Sequence, residues 1–309
     1  MSTRNSAEEV ILESDAILVR VDPRMGGKIR SFYSKRTGKE YLYQDPRSSV
    51  QAGSGYSDHD ISGFDECFPT VWPCDYPDGK RKGLSLGDHG LLWQSAWQYE
   101  IEKDRLAMGK DIPELRCRFE RTCSLDTERS LRLEYQITHD FEEPLKYIYS
   151  AHPLLAATEH TRLSLPAEID SAYVFFAANV AGVREQSWLD WPPADRLNLH
   201  APYSGQRESC IKLYSRKLNE GLAAVHHLDK QEGLRFEFDP SELPYLGFLI
   251  QQGYDANPAG AFKGELFLAL EPTTGIGDDL PTCATTGTVA ELLPGQTKCF
   301  TIRLSLIDL

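Results

Sequence analysis

Three ionisable side chains stand in apolar surroundings: His89 in GDHGLLW, His152 in YIYSAHPLL and Glu271 in LFLALEPTTG. A carboxylate that closes a hydrophobic run is desolvated, so its pKa rises toward the range where it can exchange protons near neutral pH. An imidazole titrates in that range without help and can pass a proton to a leaving oxygen. Two further acids, Asp65 and Glu66 in SGFDECFPTVWP, are adjacent in the chain. Neighbours on a strand point to opposite faces, so they do not form the carboxylate pair that flanks a glycosidic bond, and at most one of them faces a ligand.

Each of these residues also has a plainer reading. A lone histidine between apolar strands is more often a hydrogen-bonded core residue than a catalyst, and a glutamate before proline is usually a rim residue. Trp93 and Trp191, with Asp190 beside the latter in SWLDWP, add aromatic faces near acids. Such faces stack on the C–H side of a pyranose while carboxylates accept its hydroxyl protons, so a sugar-binding cleft is one expectation. Metal chemistry is thinkable, because His89, His152 and Glu271 with Asp65 and Glu66 are suitable ligand types. The chain has no H-x-H pair and no H-E-x-x-H, however, and no metal is expected. Phosphate-binding loops and dinucleotide fingerprints are missing too.

The elements that must carry these residues read as strands. Period-two alternation recurs in AILVRVDP (16–23), LRLEYQIT (131–138), LRFEFDP (234–240), GELFLALEP (264–272) and FTIRLSL (300–306). Turn signals such as MGGK, RTGK, YPDGK, ANPAG and LLPGQ separate them, and capped helical spacing is scarce. The fold class is all-β, on a single domain covering 1–309. His152 follows a strand-like run and precedes Pro153, which predicts that it sits where a sheet gives way to a turn. Residues 47–90 and 180–210 break the rhythm. They carry Trp72, Trp188 and Trp191, so they read as ordered loops walling a site.

Composition narrows the partners. A formal net charge of -13 disfavours nucleic acid and anionic membranes, and the short basic run Lys80-Arg81-Lys82 does not reverse that. The first ten residues lack the apolar core of a secretion signal, which predicts a cytoplasmic protein. Seven cysteines, an odd number without C-x-x-C spacing, read as buried free thiols.

At these same residues the sequence resembles the aldose 1-epimerase (galactose mutarotase-like) family. The resemblance runs through RMGGKIRSFYSKRTGKEYLY (24–43), GFDECFPTVWP, DHGLLWQSAW, YSAHPLL, LFLALEPTTGIGD and the closing LLPGQTKCFTIRLSL. It implies a large antiparallel β-sandwich, a small-molecule sugar in an open cleft, and no cofactor. By the same resemblance His152 matches the general acid, Glu271 the general base, and His89 a histidine that holds the ring oxygen. Glu271 would take the anomeric proton while His152 protonates the ring oxygen, so that the ring opens, rotates about C1–C2 and recloses as the other anomer. The mechanism expects the two groups to face each other across roughly one sugar ring.

Departures from the family pattern are as informative. Where galactose-specific members have an arginine in an NR motif and a doubled histidine, this chain has GFDECFP and GDHGLLW, so contacts to the sugar differ. Asp190 is the counterpart of the family's ligand-fixing aspartate. Asp65, Glu66, Trp93 and Trp191 complete the expected substrate-binding set. The phosphate-specific members' arginine after phenylalanine is replaced by Trp93 after two leucines, which favours a neutral aldose. Two other readings stay open: a non-catalytic carbohydrate-binding protein on the same fold, or an enzyme for a phosphorylated, sulfonated or uronic sugar reached by Lys80, Arg184 or Arg207. The family includes monomers and dimers.

Overall fold

The computed structural model describes residues 9–47, 55–191, 208–255 and 264–309. Each alternating run of the sequence becomes a strand: Ile17–Asp22, Ser130–His139, Glu232–Phe238, Leu266–Thr273 and Thr297–Asp308. Among the described residues they assemble into an eleven-stranded and an eight-stranded sheet, with antiparallel strand pairing throughout. Alternation buries one side chain in two, so strands such as Cys117–Thr127 present Phe119, Arg121 and Cys123 inward and Arg118 and Glu120 outward.

The two inner faces meet in an aromatic layer. Phe119 and Tyr135 of the smaller sheet contact Tyr149, with ring centroids 6.0 and 5.5 Å apart, and Trp97 closes on Phe119 at 5.6 Å. Fully burying side chains of this size is worth about 1.5–3 kcal/mol each, which is what holds the sheets face to face. Gly26 has φ of +67°, and any Cβ there would collide with the Trp93 backbone, so the MGGK turn packs directly under the 87–97 segment.

The centre of the larger sheet runs, strand by strand, through Phe64–Cys67, Ser150–Ala156, Leu266–Thr273, Tyr245–Gln252 and Ser209–Ser215. This corrects two sequence expectations. His152 lies inside a strand, not at its end. Pro153 is accommodated because the pairing with Leu266–Thr273 lapses between Ser150 and Leu154, where proline has no N–H to give. The predicted loop 47–90 also contains the strand Phe64–Cys67 and a short ribbon, Cys74–Asp75 against Ser85–Leu86. All seven cysteines are free, five of them buried, while Cys74 is partly exposed and Cys299 exposed. No helix among the described residues is long and apolar enough to cross a membrane.

Candidate functional site

Register places the chemistry. Asp65 pairs with His152, Glu271 with Gly247, and Gly247 with Tyr214. The pairs Ser150 with Thr273 and Leu154 with Ala269 bracket His152 and set it opposite Glu271. Directly opposed residues share a face, so Asp65, His152, Glu271, Gly247 and Tyr214 form one row across five strands on the face turned away from the intersheet core. Lys212, two residues before Tyr214, and Cys67, two after Asp65, flank the row on the same face. Gly247 leaves the room the row needs: a Cβ there would stand 3.0 Å from the Tyr214 ring and 3.4 Å from Glu271 Oε2.

Glu271 is fully buried and asymmetric in its contacts. Oε2 accepts from the Lys212 ammonium and from Ser150 Oγ at 3.2 Å, whereas Oε1 has no partner among the described residues. Burial pushes its pKa up; Lys212 opposes this, Asp278 adds to it, and the net direction is upward. Burial alone would pull Lys212 down, but Asp278, with Oδ1 at 3.6 Å, and Glu271 hold it above its ordinary value as a fixed cation. Asp278 also takes the Tyr214 hydroxyl, and its own carbonyl accepts from the Val71 and Trp72 amides at 2.8 and 2.7 Å. A buried unpaired acceptor such as Oε1 costs about 1–3 kcal/mol unless a ligand or water donates to it.

His152 is 8% exposed. Burial, then the neighbouring His89, Lys212 and Lys28, hold its pKa well below the ordinary histidine value. Its Nδ1 lies 3.5 Å from Tyr56 Oη, and that hydroxyl donates to Asp65 Oδ2 at 2.8 Å. Lys28 Nζ balances the same oxygen at 2.9 Å, and Asp65 Oδ1 has no partner among the described residues.

His89 arrives from the 87–91 loop. Its amide donates to Val71 carbonyl at 2.6 Å, Leu91 donates to Phe68 at 2.8 Å, and Gly90 at φ +75° passes so close to the Phe68 carbonyl that a Cβ would clash. His89 itself has φ of +57°, a left-handed conformation uncommon outside glycine and held here by that pairing. Its ring stacks on Tyr56, centroids 3.6 Å apart, and meets His152 edge-on at 4.6 Å. Asp88 Oδ1 lies 2.8 Å from His89 Nδ1. Taking the Nδ1–H, the carboxylate leaves Nε2 facing outward from the pair.

The structure therefore brings together His89, His152, Glu271 and Asp65. Trp93 stands behind them, 7% exposed, edge-on to Tyr56 at 5.2 Å and donating its Nε1–H to Asp88 carbonyl. Three expected substrate contacts are corrected. Glu66 points the other way, into the intersheet core, where Oε1 meets Arg121 at 2.5 Å and Tyr135 at 2.9 Å and Oε2 meets Tyr149 at 2.7 Å. Trp191 is buried edge-on against Phe248, whose neighbour Gly247 faces the row, so this tryptophan belongs to the core side. Asp190 is exposed on the edge strand Ser187–Asp190, four strand spacings from Glu271, roughly 19 Å along the sheet.

Of the cations considered for an anionic sugar, Lys80 is engaged by Glu142, Arg184 lies in the turn before Ser187–Asp190, and Arg207 lies outside the described residues. The part of the 180–210 loop from 192 to 207 lies outside them as well. A shallow groove of about 870 Å³ on the smaller sheet, near Gln98, Arg118 and Glu120, includes no residue of the row. Its Arg118 is already paired, with Glu120 of the groove at 3.0 Å and with Asp111 beside it at 2.9 Å.

Sequence reasoning passed over Lys212, Tyr56, Cys67 and Asp278. The signal for Lys212 was present: a lysine in the middle of SCIKLYS, a strand buried along its whole length, must find a buried anion.

No family model matches the sequence, and no curated protein matches it significantly. Solved structures do. The Slr1438 protein from Synechocystis superposes with a TM-score of 0.73 over 100% of this chain and 99% of its own, at 16% identity. A candidate aldose 1-epimerase from Escherichia coli K12 gives 0.71 over 97% and 99%, at 18% identity. A galactose mutarotase-like protein from Lactobacillus casei gives 0.69 over 97% and 100%, at 15% identity. The chain has the all-β sandwich fold of the galactose mutarotase-like proteins.

Proposed function

We propose that this protein is a mutarotase of the aldose 1-epimerase type, interconverting the anomers of a free aldose. The observation that carries the proposal is the register that sets His152 opposite Glu271 with Glu271 Oε1 unpaired. The anomeric oxygen and the ring oxygen of an aldose are bonded to the same carbon. An acid and a base that are neighbours in one row, instead of facing walls, can therefore reach both.

In this reading Glu271 Oε1 accepts the anomeric proton while protonated His152 gives its proton to the ring oxygen. The bond between C1 and the ring oxygen breaks, and the open aldehyde rotates about C1–C2. Reclosure returns both protons. The pair must therefore hold one transferable proton in total, and Lys212 keeps the carboxylate oriented while it changes charge. Proton transfer by each positioned group contributes about 10² to 10⁴ in rate. His89, with Nδ1 committed to Asp88, offers Nε2 to a sugar hydroxyl, a different contact from the ring-oxygen role that the resemblance implied.

A neutral sugar fits better than an anionic one. The two buried cations beside the row, Lys28 and Lys212, are already matched by Asp65 and by Glu271 with Asp278. Polarimetry of freshly dissolved aldoses, neutral and phosphorylated, tests the proposal. Faster approach to anomeric equilibrium for a neutral aldose supports it; unchanged rates across the panel, with sugar binding still detectable, leave a carbohydrate-binding protein instead.

A further inference from the structure

Cys67, His89 and His152 each offer a ligand atom, and these three atoms all lie within 4.8 Å of one another. We infer that they form a binding site for a thiophilic divalent cation such as Zn²⁺. Tetrahedral zinc with one thiolate and two imidazoles needs donor separations of about 3.3–3.8 Å, so side-chain adjustments of about 1 Å close the set. One sulfur and two nitrogens are a donor class that zinc prefers over magnesium or calcium.

A second, independent feature is the support behind the ligands. Asp88 holds His89 Nδ1 at 2.8 Å, the carboxylate–histidine arrangement that fixes the tautomer and turns the Nε2 lone pair toward a metal. His152 is oriented through Nδ1 by Tyr56, whose own proton goes to Asp65. Asp65, opposite His152 and 1% exposed, keeps Oδ1 without a partner among the described residues, an acceptor for a metal-bound water. Coordination replaces the S–H bond of Cys67 with an S–metal bond and releases that proton to solvent; nothing is oxidised or reduced. The inference does not rest on the sugar reading: a metal on His89 and His152 occupies the imidazoles that reading uses, so the two are alternative occupants of one site and metal binding is read on the whole chain without sugar.

Titration of the full-length protein with cobalt(II) chloride, followed by competition with zinc(II) chloride, tests it. One equivalent of cobalt should produce a thiolate-to-metal charge-transfer band in the near ultraviolet with intense tetrahedral visible bands, and zinc should remove both. Cys67→Ser should lose the near-ultraviolet band, while Cys299→Ser, which deletes the exposed thiol, should keep it. Asp88→Asn, at a partly exposed position outside the ligand set, should weaken binding about 10- to 100-fold. Absence of the charge-transfer band in the wild type overturns the inference even if Cys67→Ser proves unstable, and so does a band that vanishes in Cys299→Ser.

Discussion

Lys212 sets its ammonium on one carboxylate oxygen of Glu271 and leaves the other, Oε1, without a partner among the described residues. The lysine thus divides the carboxylate into an anchored oxygen and a free one. It also lies close enough to act on His152, so a single charge governs both members of the acid–base pair.

That arrangement fixes the sign of a pH effect. Anomer exchange should follow a bell-shaped pH profile, because the pair works with one proton and fails with two or none. Lys212 lowers the pKa of both Glu271 and His152, so Lys212→Met raises both. Both limbs of the profile should then move to higher pH. Rates measured from pH 4 to about 9 check this, and limbs that stay in place contradict it. The substitution should also cost about 3–5 kcal/mol in urea unfolding at neutral pH, since it leaves buried acids without their cation.

Gly247 is the spacer of the row. Gly247→Ala brings a methyl into ordinary contact with Glu271 Oε2 at 3.4 Å and to 3.0 Å from the Tyr214 ring, which must give way by a few tenths of an ångström. Anomer exchange should fall roughly tenfold, because a shifted Tyr214 disturbs Asp278 and with it the Lys212 ammonium that orients Glu271. The overpacking should cost about 1–3 kcal/mol, read from the denaturation midpoint. A folded variant with wild-type kinetics would show that the Tyr214–Asp278 support of Lys212 is not critical.

Glu66 provides the contrast. It is as buried as Glu271, but all its contacts are to the core partners Arg121, Tyr135 and Tyr149. Glu66→Gln keeps an acceptor for the tyrosines and strips Arg121 of its anion, so unfolding free energy should drop by about 3–5 kcal/mol. Exchange per folded molecule should stay within about twofold, because no reacting group is touched. A selective loss of activity at unchanged stability would put Glu66 in the site after all.

The strands were legible because burying one face of a sheet writes a period of two into the chain, as in Ser130–His139 and Leu266–Thr273. His89, His152 and Glu271 were legible as polar groups stranded in apolar runs. Alternation alone separated Asp65 from Glu66 without telling which faces the ligand, since that depends on which face of the larger sheet meets the smaller one. Strand order is equally invisible: nothing in SWLDWP says that Asp190 ends at the sheet edge or that Trp191 packs on Phe248. Lys212 was hidden for the same reason, because its anions Glu271 and Asp278 come from a distant part of the chain and meet it only through the pairing of Ser209–Ser215 with Tyr245–Gln252.

Two-dimensional exchange NMR on an aldose that the wild type accelerates decides whether the row is an active site. His152→Ala and Glu271→Gln, each verified as folded by circular dichroism, should each lower the anomer exchange rate by about 10² or more while sugar still binds. Exchange that survives in both folded variants would contradict the assignment of His152 and Glu271 as the acid–base pair.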